Sequence, residues 1–359
     1  MTKLWDSVTV GRLTLPHRLA MAPMTRSRAL PDGTPGELAP LYYAQRASLG
    51  LLISEGTQPS ADGQGYLFTP GIYTEQQIAG WKAVADQVHA AGGSLYIQLM
   101  HVGRMSHPDN TPHHRQPLAP SAIAPGVQMF TATGMQDIPV PREMSLEDIQ
   151  ATVEEFRIAA AAAIRAGADG VEIHGANGYI IQQFIAENAN TRTDQYGGSI
   201  ENRARFGIEV AAAVAGEIGA DRTGFRISPG MSLGGLDEGP DGPDLYRHLI
   251  AELANLNLAY LHVLHGGNDE FLREIRSAWP HALLVNRAGR PLEQIAADVD
   301  AGLADVAPIG AWALANPDFV ERLKTEAPLN SGDVSTFFGG DSHGYTDYPT
   351  LAEQSVRES

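Results

Sequence analysis

The segment Val171-Glu172-Ile173-His174-Gly175-Ala176-Asn177-Gly178-Tyr179 carries an imidazole, an amide three residues on and a phenol five residues on, where an apolar run gives way to a loop. Three polar tips at this spacing fit around one small ligand: an imidazole and an amide N–H both donate to one carbonyl oxygen, and a phenol on the neighbouring turn supplies a proton. A histidine held in place by its own hydrogen bonds, with Tyr179 as packing, fits the same spacing. Polar residues also end other apolar runs: Thr25 after Ala22-Pro23-Met24, the stretch Ser54-Glu55-Gly56-Thr57, His101 after Gln98-Leu99-Met100, Arg226, and His265. For an anionic group the candidates are backbone N–H groups at Ala288-Gly289 and at Gly310, close to Arg287 and Arg290.

Several chemistries are absent from this inventory. There is no cysteine, which removes disulfides, thiolate nucleophiles, iron–sulfur clusters and cysteine zinc sites together. The three lysines, Lys3, Lys82 and Lys324, stand at no strand end, so a Schiff-base or pyridoxal-phosphate enzyme has no nucleophile. His101, His174, His265 and Glu55 fit no metal-ligand signature, and no metal is expected. With 25 basic against 42 acidic residues the net charge is −17, the wrong sign for nucleic acid or an anionic membrane surface. Apolar stretches are broken long before the roughly 18 residues a membrane span needs, and the start lacks the layout of a signal peptide. A cytoplasmic protein is expected.

Positioning these groups requires a scaffold. Apolar runs of strand length recur at His17–Met24, Leu49–Thr57, Ser94–His101, Gly170–Ala176, Thr223–Ser228, Tyr260–His265, Ala282–Val285 and Val306–Ile309. Helical patterns lie between them, at Glu75–Ala91, Ser145–Ala166, Ile200–Ile218, Asp241–Ala254, Asn268–Ala278 and Leu292–Ala301. Eight alternating units, with no G-x-G-x-x-G fingerprint after any strand, favour an α/β (β/α)₈ TIM barrel over a doubly wound sheet. Barrels of this length often fold as one domain, and no linker composition divides residues 1–359. The proline-rich stretch 102–142 reads as a long insertion after the third strand, on the face where barrel active sites are built. Beyond Lys324, Phe337-Phe338-Gly339-Gly340 and Tyr345-Thr346-Asp347-Tyr348-Pro349 suggest an ordered C-terminal flap, with a frayed tail at 350–359.

With the barrel in place, the residues resemble the old yellow enzyme flavoproteins, or ene-reductases, over almost the whole chain. The resemblance is carried by Ala22-Pro23-Met24-Thr25-Arg26, by Ser54-Glu55-Gly56-Thr57, by Gln98-Leu99-Met100-His101-Val102-Gly103-Arg104 and by Val171-Glu172-Ile173-His174. The run Asp194-Gln195-Tyr196-Gly197-Gly198-Ser199-Ile200-Glu201-Asn202-Arg203 is the most specific, and Ala315-Asn316-Pro317-Asp318 adds to it. Thr25 is similar to the branch of bacterial, yeast and plant members rather than to the branch with cysteine there. The resemblance implies FMN at the barrel mouth, reduced by NADPH or NADH and reoxidised by an activated alkene such as an enal, enone, maleimide or nitroalkene, in a monomer or homodimer.

Residue by residue, the resemblance implies that Pro23, Met24 and Thr25 line the flavin, that Gly56 and Gln98 contact its pyrimidine side, and that Arg226 sits where negative charge develops on reduction. His174 and Asn177 would bind the substrate carbonyl, Tyr179 would protonate the α-carbon, Phe338 would approach the far end of the ring, and Met100, Thr25 and Tyr345 would line the substrate pocket. Ala288, Gly289, Arg290, Gly310 and Ala311 would surround the phosphate. Here the chain departs from the family, whose usual Gly-Arg reads Gly310-Ala311, and Arg290 is the expected replacement. A deazaflavin, or a small-molecule binding barrel without flavin chemistry, would also accommodate that loss.

Overall fold

The structure, a computed structural model, describes residues 2–358. Eight parallel strands run in chain order: β1 (Leu19–Met21), β2 (Leu51–Ile53), β3 (Ser94–Leu99), β4 (Gly170–His174), β5 (Thr223–Ile227), β6 (Tyr260–Leu264), β7 (Ala282–Asn286) and β8 (Ala307–Ile309). Each pairs with its sequence neighbour, and β8 returns to β1 through Ala307↔Leu19 and Ile309↔Met21. Between β7 and β8 the barrel is closed by a parallel bridge at Leu284 and Val306, and the Asn286 side chain donates to the Pro308 carbonyl at 3.2 Å. This is the expected (β/α)₈ barrel, and each strand lies inside its predicted apolar run or within one residue of it.

The helices that follow the strands include one after each, α1 (Ala39–Ala44), α2 (Glu75–Ala90), α3 (Leu146–Arg165), α4 (Ile200–Ile218), α5 (Gly242–Asn255), α6 (Asp269–Ala278), α7 (Ala297–Asp300) and α8 (Phe319–Thr325), with further short helices at Ile180–Ile185 and Ala311–Ala315. Their starts are written in the sequence. Thr74 and Ser145 each form a reciprocal capping box, with Gln77 and Asp148, and Ser199 and Asn268 accept from the backbone N–H three residues on. The helix expected over Leu292–Ala301 is instead a 3₁₀ turn at Leu292–Gln294 followed by the single-turn α7, which brings Asp298 inward beneath two arginines.

Strand alternation sorts the side chains into two layers. Val171, Ile173, Phe225, Ile227, Leu261 and Val263 face the helices in the main core, while Tyr96, Gln98, Glu172, His174, Arg226, Tyr260 and His262 occupy the alternate positions of the same strands. At the base, an antiparallel hairpin of Val8–Val10 and Leu13–Leu15 packs Val10 and Leu15 against Ala20, Leu51, Tyr96, Tyr260 and Leu284. Burying this apolar plug seals the end of the barrel away from the mouth.

The insertion after β3 holds a hairpin of Gln128–Thr131 and Gly134–Asp137 and a parallel pairing of Leu118–Ala119 with Arg142–Glu143. The flap returns to the mouth because Arg26, fully buried, donates to the carbonyls of Phe337 and Gly344, while the Gly339 N–H donates to the Arg26 carbonyl. Where the frayed tail is expected at 350–359, Leu351–Glu358 is helical, with the Leu351 N–H held by Asp318, and Ser359 lies outside the described residues. Among the described residues no helix is long and apolar enough to cross a membrane.

Candidate active site at the barrel mouth

Inside the barrel the polar side chains lie in tiers. Glu172, fully buried on β4, accepts from Gln98 Nε2 (2.7 Å) and from the Tyr260 hydroxyl (3.0 Å), and is bonded to His262 Nδ1 at 2.8 Å. Burial alone would raise its pKa, but His262, Arg226 and Gln98 together outweigh that and hold the carboxyl below its ordinary value. Arg226 pairs in register with His174 on one side and His262 on the other. Its guanidinium is buried, its Nε has no hydrogen-bond partner, and burial lowers its pKa against the pull of Glu172. A buried cation with an unused donor costs free energy unless an anionic or acceptor group completes it.

His174 ends β4. Its Nδ1 accepts the Ala176 N–H at 3.3 Å, which assigns the proton to Nε2 and makes that nitrogen a donor. Burial, with Arg226 and His262 pushing the same way, drops its pKa well below that of free imidazole, so it is neutral at neutral pH. The chain then turns sharply through Asn177 (φ +59°) and Gly178 (φ +85°). Asn tolerates the left-handed conformation, and Gly178 is required, because a Cβ there would stand 2.6 Å from the Leu233 carbonyl oxygen. The turn is pinned by Asn177 N–H to Ser228 Oγ (2.9 Å) and Gly178 N–H to Gln182 Oε1 (2.8 Å). It leaves Asn177 Oδ1 buried without a partner and sets the Tyr179 ring edge-on to His174, centroids 5.0 Å apart.

Two cavities meet at this end of the barrel. The larger, about 870 Å³, is lined by Met24, Thr25, Tyr66, Tyr179, Ala311 and Phe338. The smaller, about 400 Å³, lies between the ends of β7 and β8 and is lined by Ala288, Gly289, Arg290, Gly310 and again Ala311. Ala311 borders both, so the two cavities are neighbours, with room for a flat ring in the larger and a polar tail in the smaller. The residues present fit FMN: the smaller cavity holds two guanidinium groups, Arg287 and Arg290, for a polar tail, and inside the barrel Arg226 keeps a buried Nε without a partner.

Not every sequence candidate reaches this seat. Tyr345, expected in the substrate pocket, is instead buried and stacked on Tyr42 at 4.2 Å, with the guanidiniums of Arg26 and Arg28 over its ring. Neither guanidinium stands within ion-pair distance of a carboxylate among the described residues, although buried Glu55 lies near enough to act on both charges, and each lies over an aromatic face instead. Met100 is buried with its thioether over Gly56, where a Cβ would stand 2.4 Å from the sulfur, and Gln98 spends its amide on Glu172. Pro23 is half-buried between β1 and the cavity residues Met24 and Thr25. His101 and His265 use Nδ1 to cap their own loops at Gly103 and Gly267. Sequence reasoning missed Tyr66, whose hydroxyl lies 3.1 Å from that of Tyr179, and Asp298, which binds both Arg287 and Arg290. The signal for Tyr66 was its place in the loop after β2, on the face where barrel sites form.

The model of the NADH:flavin oxidoreductase / NADH oxidase family matches residues 3–330. Among curated proteins, putative 12-oxophytodienoate reductase 3 of Oryza sativa subsp. japonica is 42% identical over 361 residues, spanning 96% of this chain and 92% of its own. The 12-oxophytodienoate reductase 2 of Arabidopsis thaliana is 39% identical over 356 residues, 95% of this chain and 94% of its own. Among solved structures, morphinone reductase in complex with tetrahydroNAD superposes with a TM-score of 0.93 at 43% identity, covering 98% of both chains. An old yellow enzyme homologue from Zymomonas mobilis gives 0.93 at 36% identity, covering 97% of this chain and all of the other.

Proposed function

The chain belongs to the NADH:flavin oxidoreductase / NADH oxidase family, among the old yellow enzymes, and from that premise we propose that it reduces alkenes activated by a carbonyl or nitro group, using NADPH or NADH as reductant. FMN, when bound, carries hydride from the nicotinamide to the β-carbon of the alkene. His174 Nε2–H and the Asn177 amide donate to the substrate oxygen, drawing electron density away from the alkene. Tyr179 holds the proton destined for the α-carbon, and its raised pKa keeps it protonated. Arg226 would supply a fixed cation toward the part of the ring that gains charge on reduction, with Met24, Thr25 and Phe338 lining the ring cavity and Ala288, Gly289, Arg290, Gly310 and Ala311 the tail cavity.

One observation carries this reading: a buried, unsatisfied guanidinium at Arg226 stands in register beside a neutral histidine whose donor nitrogen is defined. The visible absorption spectrum of the purified protein, before and after p-hydroxybenzaldehyde, tests it. A yellow protein that gains a long-wavelength band has a flavin beside a phenolate held by His174 and Asn177. A colourless protein that takes up no FMN would overturn it. The reading carries a cytoplasmic location and a monomer or homodimer, which fractionation and sedimentation test.

A further inference from the structure

The tail cavity holds two guanidinium groups that one carboxylate already claims. Asp298 is 6% exposed. Its Oδ2 accepts from Arg287 Nε and Arg290 Nη1, both at 2.7 Å, and its Oδ1 accepts from Arg287 Nη2 at 3.0 Å and Arg290 Nη2 at 3.3 Å. Arg287 gives its remaining Nη1 to Asp269 at 2.7 Å. Two cations are thus matched by two carboxylates, where loops seven and eight of such barrels bind phosphate. His265, the other titratable group against this cluster, lies 3.1 Å from Asp269 through Nε2 and 3.3 Å from Arg287 through Nδ1. The end of β8 adds no cation, since Gly310 leads into Ala311.

The two arginines are not equivalent. Arg287 is fixed by a bidentate pair to Asp298 and by a third bond to Asp269, so turning it away breaks three charge-assisted bonds. Arg290 makes one short and one long bond to the same carboxylate, and Gly289 before it adopts φ +75° in the loop that lines the cavity.

We propose that Asp298 competes with the flavin phosphate for Arg290, so that this protein distinguishes FMN from unphosphorylated riboflavin only weakly. The inference rests on the flavin-binding reading above. The phosphate takes Arg290 from Asp298, and Arg287 keeps the carboxylate neutralised. One charge-assisted bond is exchanged for another, so the phosphate adds little net affinity and meets a cluster whose formal charges sum to zero.

The test is to titrate the full-length protein, freed of flavin, separately with FMN and with riboflavin, following flavin fluorescence. The expected wild-type affinities lie within about tenfold of each other. Asp298→Asn removes the competing charge and is expected to tighten FMN by about tenfold or more with riboflavin unchanged. Arg290→Gln, at a partly exposed position, should bring FMN down to the affinity of riboflavin. A wild-type preference for FMN of about a thousandfold, or FMN binding untouched by Arg290→Gln, overturns the proposal and leaves the flavin reading standing, and the Arg290 variant decides if Asp298→Asn does not fold. Wild-type protein that binds neither flavin overturns the flavin reading itself.

Discussion

The phenols of Tyr179 and Tyr66 share one hydrogen bond, oxygen to oxygen 3.1 Å, with their rings edge to face. Burial raises the pKa of both, that of Tyr179 well above the ordinary value, so neither ionises near neutrality. Only one of the two protons lies between the oxygens. When Tyr66 donates, the Tyr179 proton is free for the cavity both residues line. Tyr179→Phe is therefore expected to slow alkene reduction by about a hundredfold or more, the usual worth of a positioned proton donor. Tyr66→Phe removes one neutral hydrogen bond and should cost about tenfold. Stopped-flow measurement of the two half-reactions checks this, because reduction of the flavin by NAD(P)H needs no proton from Tyr179. Equal slowing of both half-reactions removes Tyr179 as donor.

His174→Ala combined with Asn177→Ala should abolish phenol binding and leave the flavin in place. The two donors sit at the end of β4 and in the turn after it, and neither lines the cavities that fit the flavin, although Tyr179 of the same turn borders the larger one. Loss of a pair of hydrogen bonds to a charged oxygen corresponds to at least about a hundredfold weaker binding. The long-wavelength band on titration with p-hydroxybenzaldehyde is the readout. Retained affinity in the double variant would assign the anion to other residues.

These sites differ in how far the sequence exposes them. Strand and helix positions follow from short apolar runs and from local caps such as Ser145 with Asp148, which need no distant partner. His174, Asn177 and Tyr179 were legible because one turn places all three. Tyr345 was not: its motif suggested the pocket, but its place is decided by Tyr42 and Arg26, some 300 residues away in the chain. Asp298 was hidden for a similar reason. Its position reads as one face of a longer helix over Leu292–Ala301, whereas the structure has a 3₁₀ turn and a single helical turn there, with the carboxylate on Arg287 and Arg290, partners that local periodicity does not reveal.

Arg226 sets stability against function. With its Nε unpaired, the guanidinium bears a desolvation cost in flavin-free protein that the charge of Glu172 offsets only in part. Glu172 below it keeps Gln98, Tyr260 and His262 as partners if the cation is removed. Arg226→Met is therefore expected to stabilise the flavin-free protein by about 1 to 2 kcal/mol while weakening its hold on FMN. Thermal unfolding of both proteins without flavin, beside an FMN titration, measures the two effects separately. A less stable flavin-free variant would mean that Arg226 is already compensated.

Glu55 gives the fold a pH dependence of unusual sign. Its Oε2 accepts the backbone N–H of Arg26 (3.0 Å) and Ser27 (3.3 Å), yet burial dominates and pushes its pKa up to about 7. In the unfolded chain the group titrates near 4.5. Between those values the native state binds more protons than the unfolded state, so stability falls as pH rises and levels off above about 7. The full difference is about 3 kcal/mol. His101 acts in the opposite direction: burial lowers its pKa to about 4, below the unfolded 6.5, so its contribution is present above 6.5 and lost on acidification. The two nearly cancel in the wild type. Glu55→Gln keeps an oxygen for both backbone donors and cannot ionise. Its stability should match the wild type near pH 4 and exceed it by about 3 kcal/mol near pH 8, leaving the rise due to His101 uncovered. Urea denaturation of both proteins across that range is the measurement. A difference that stays constant with pH would mean that Glu55 titrates as an ordinary carboxyl.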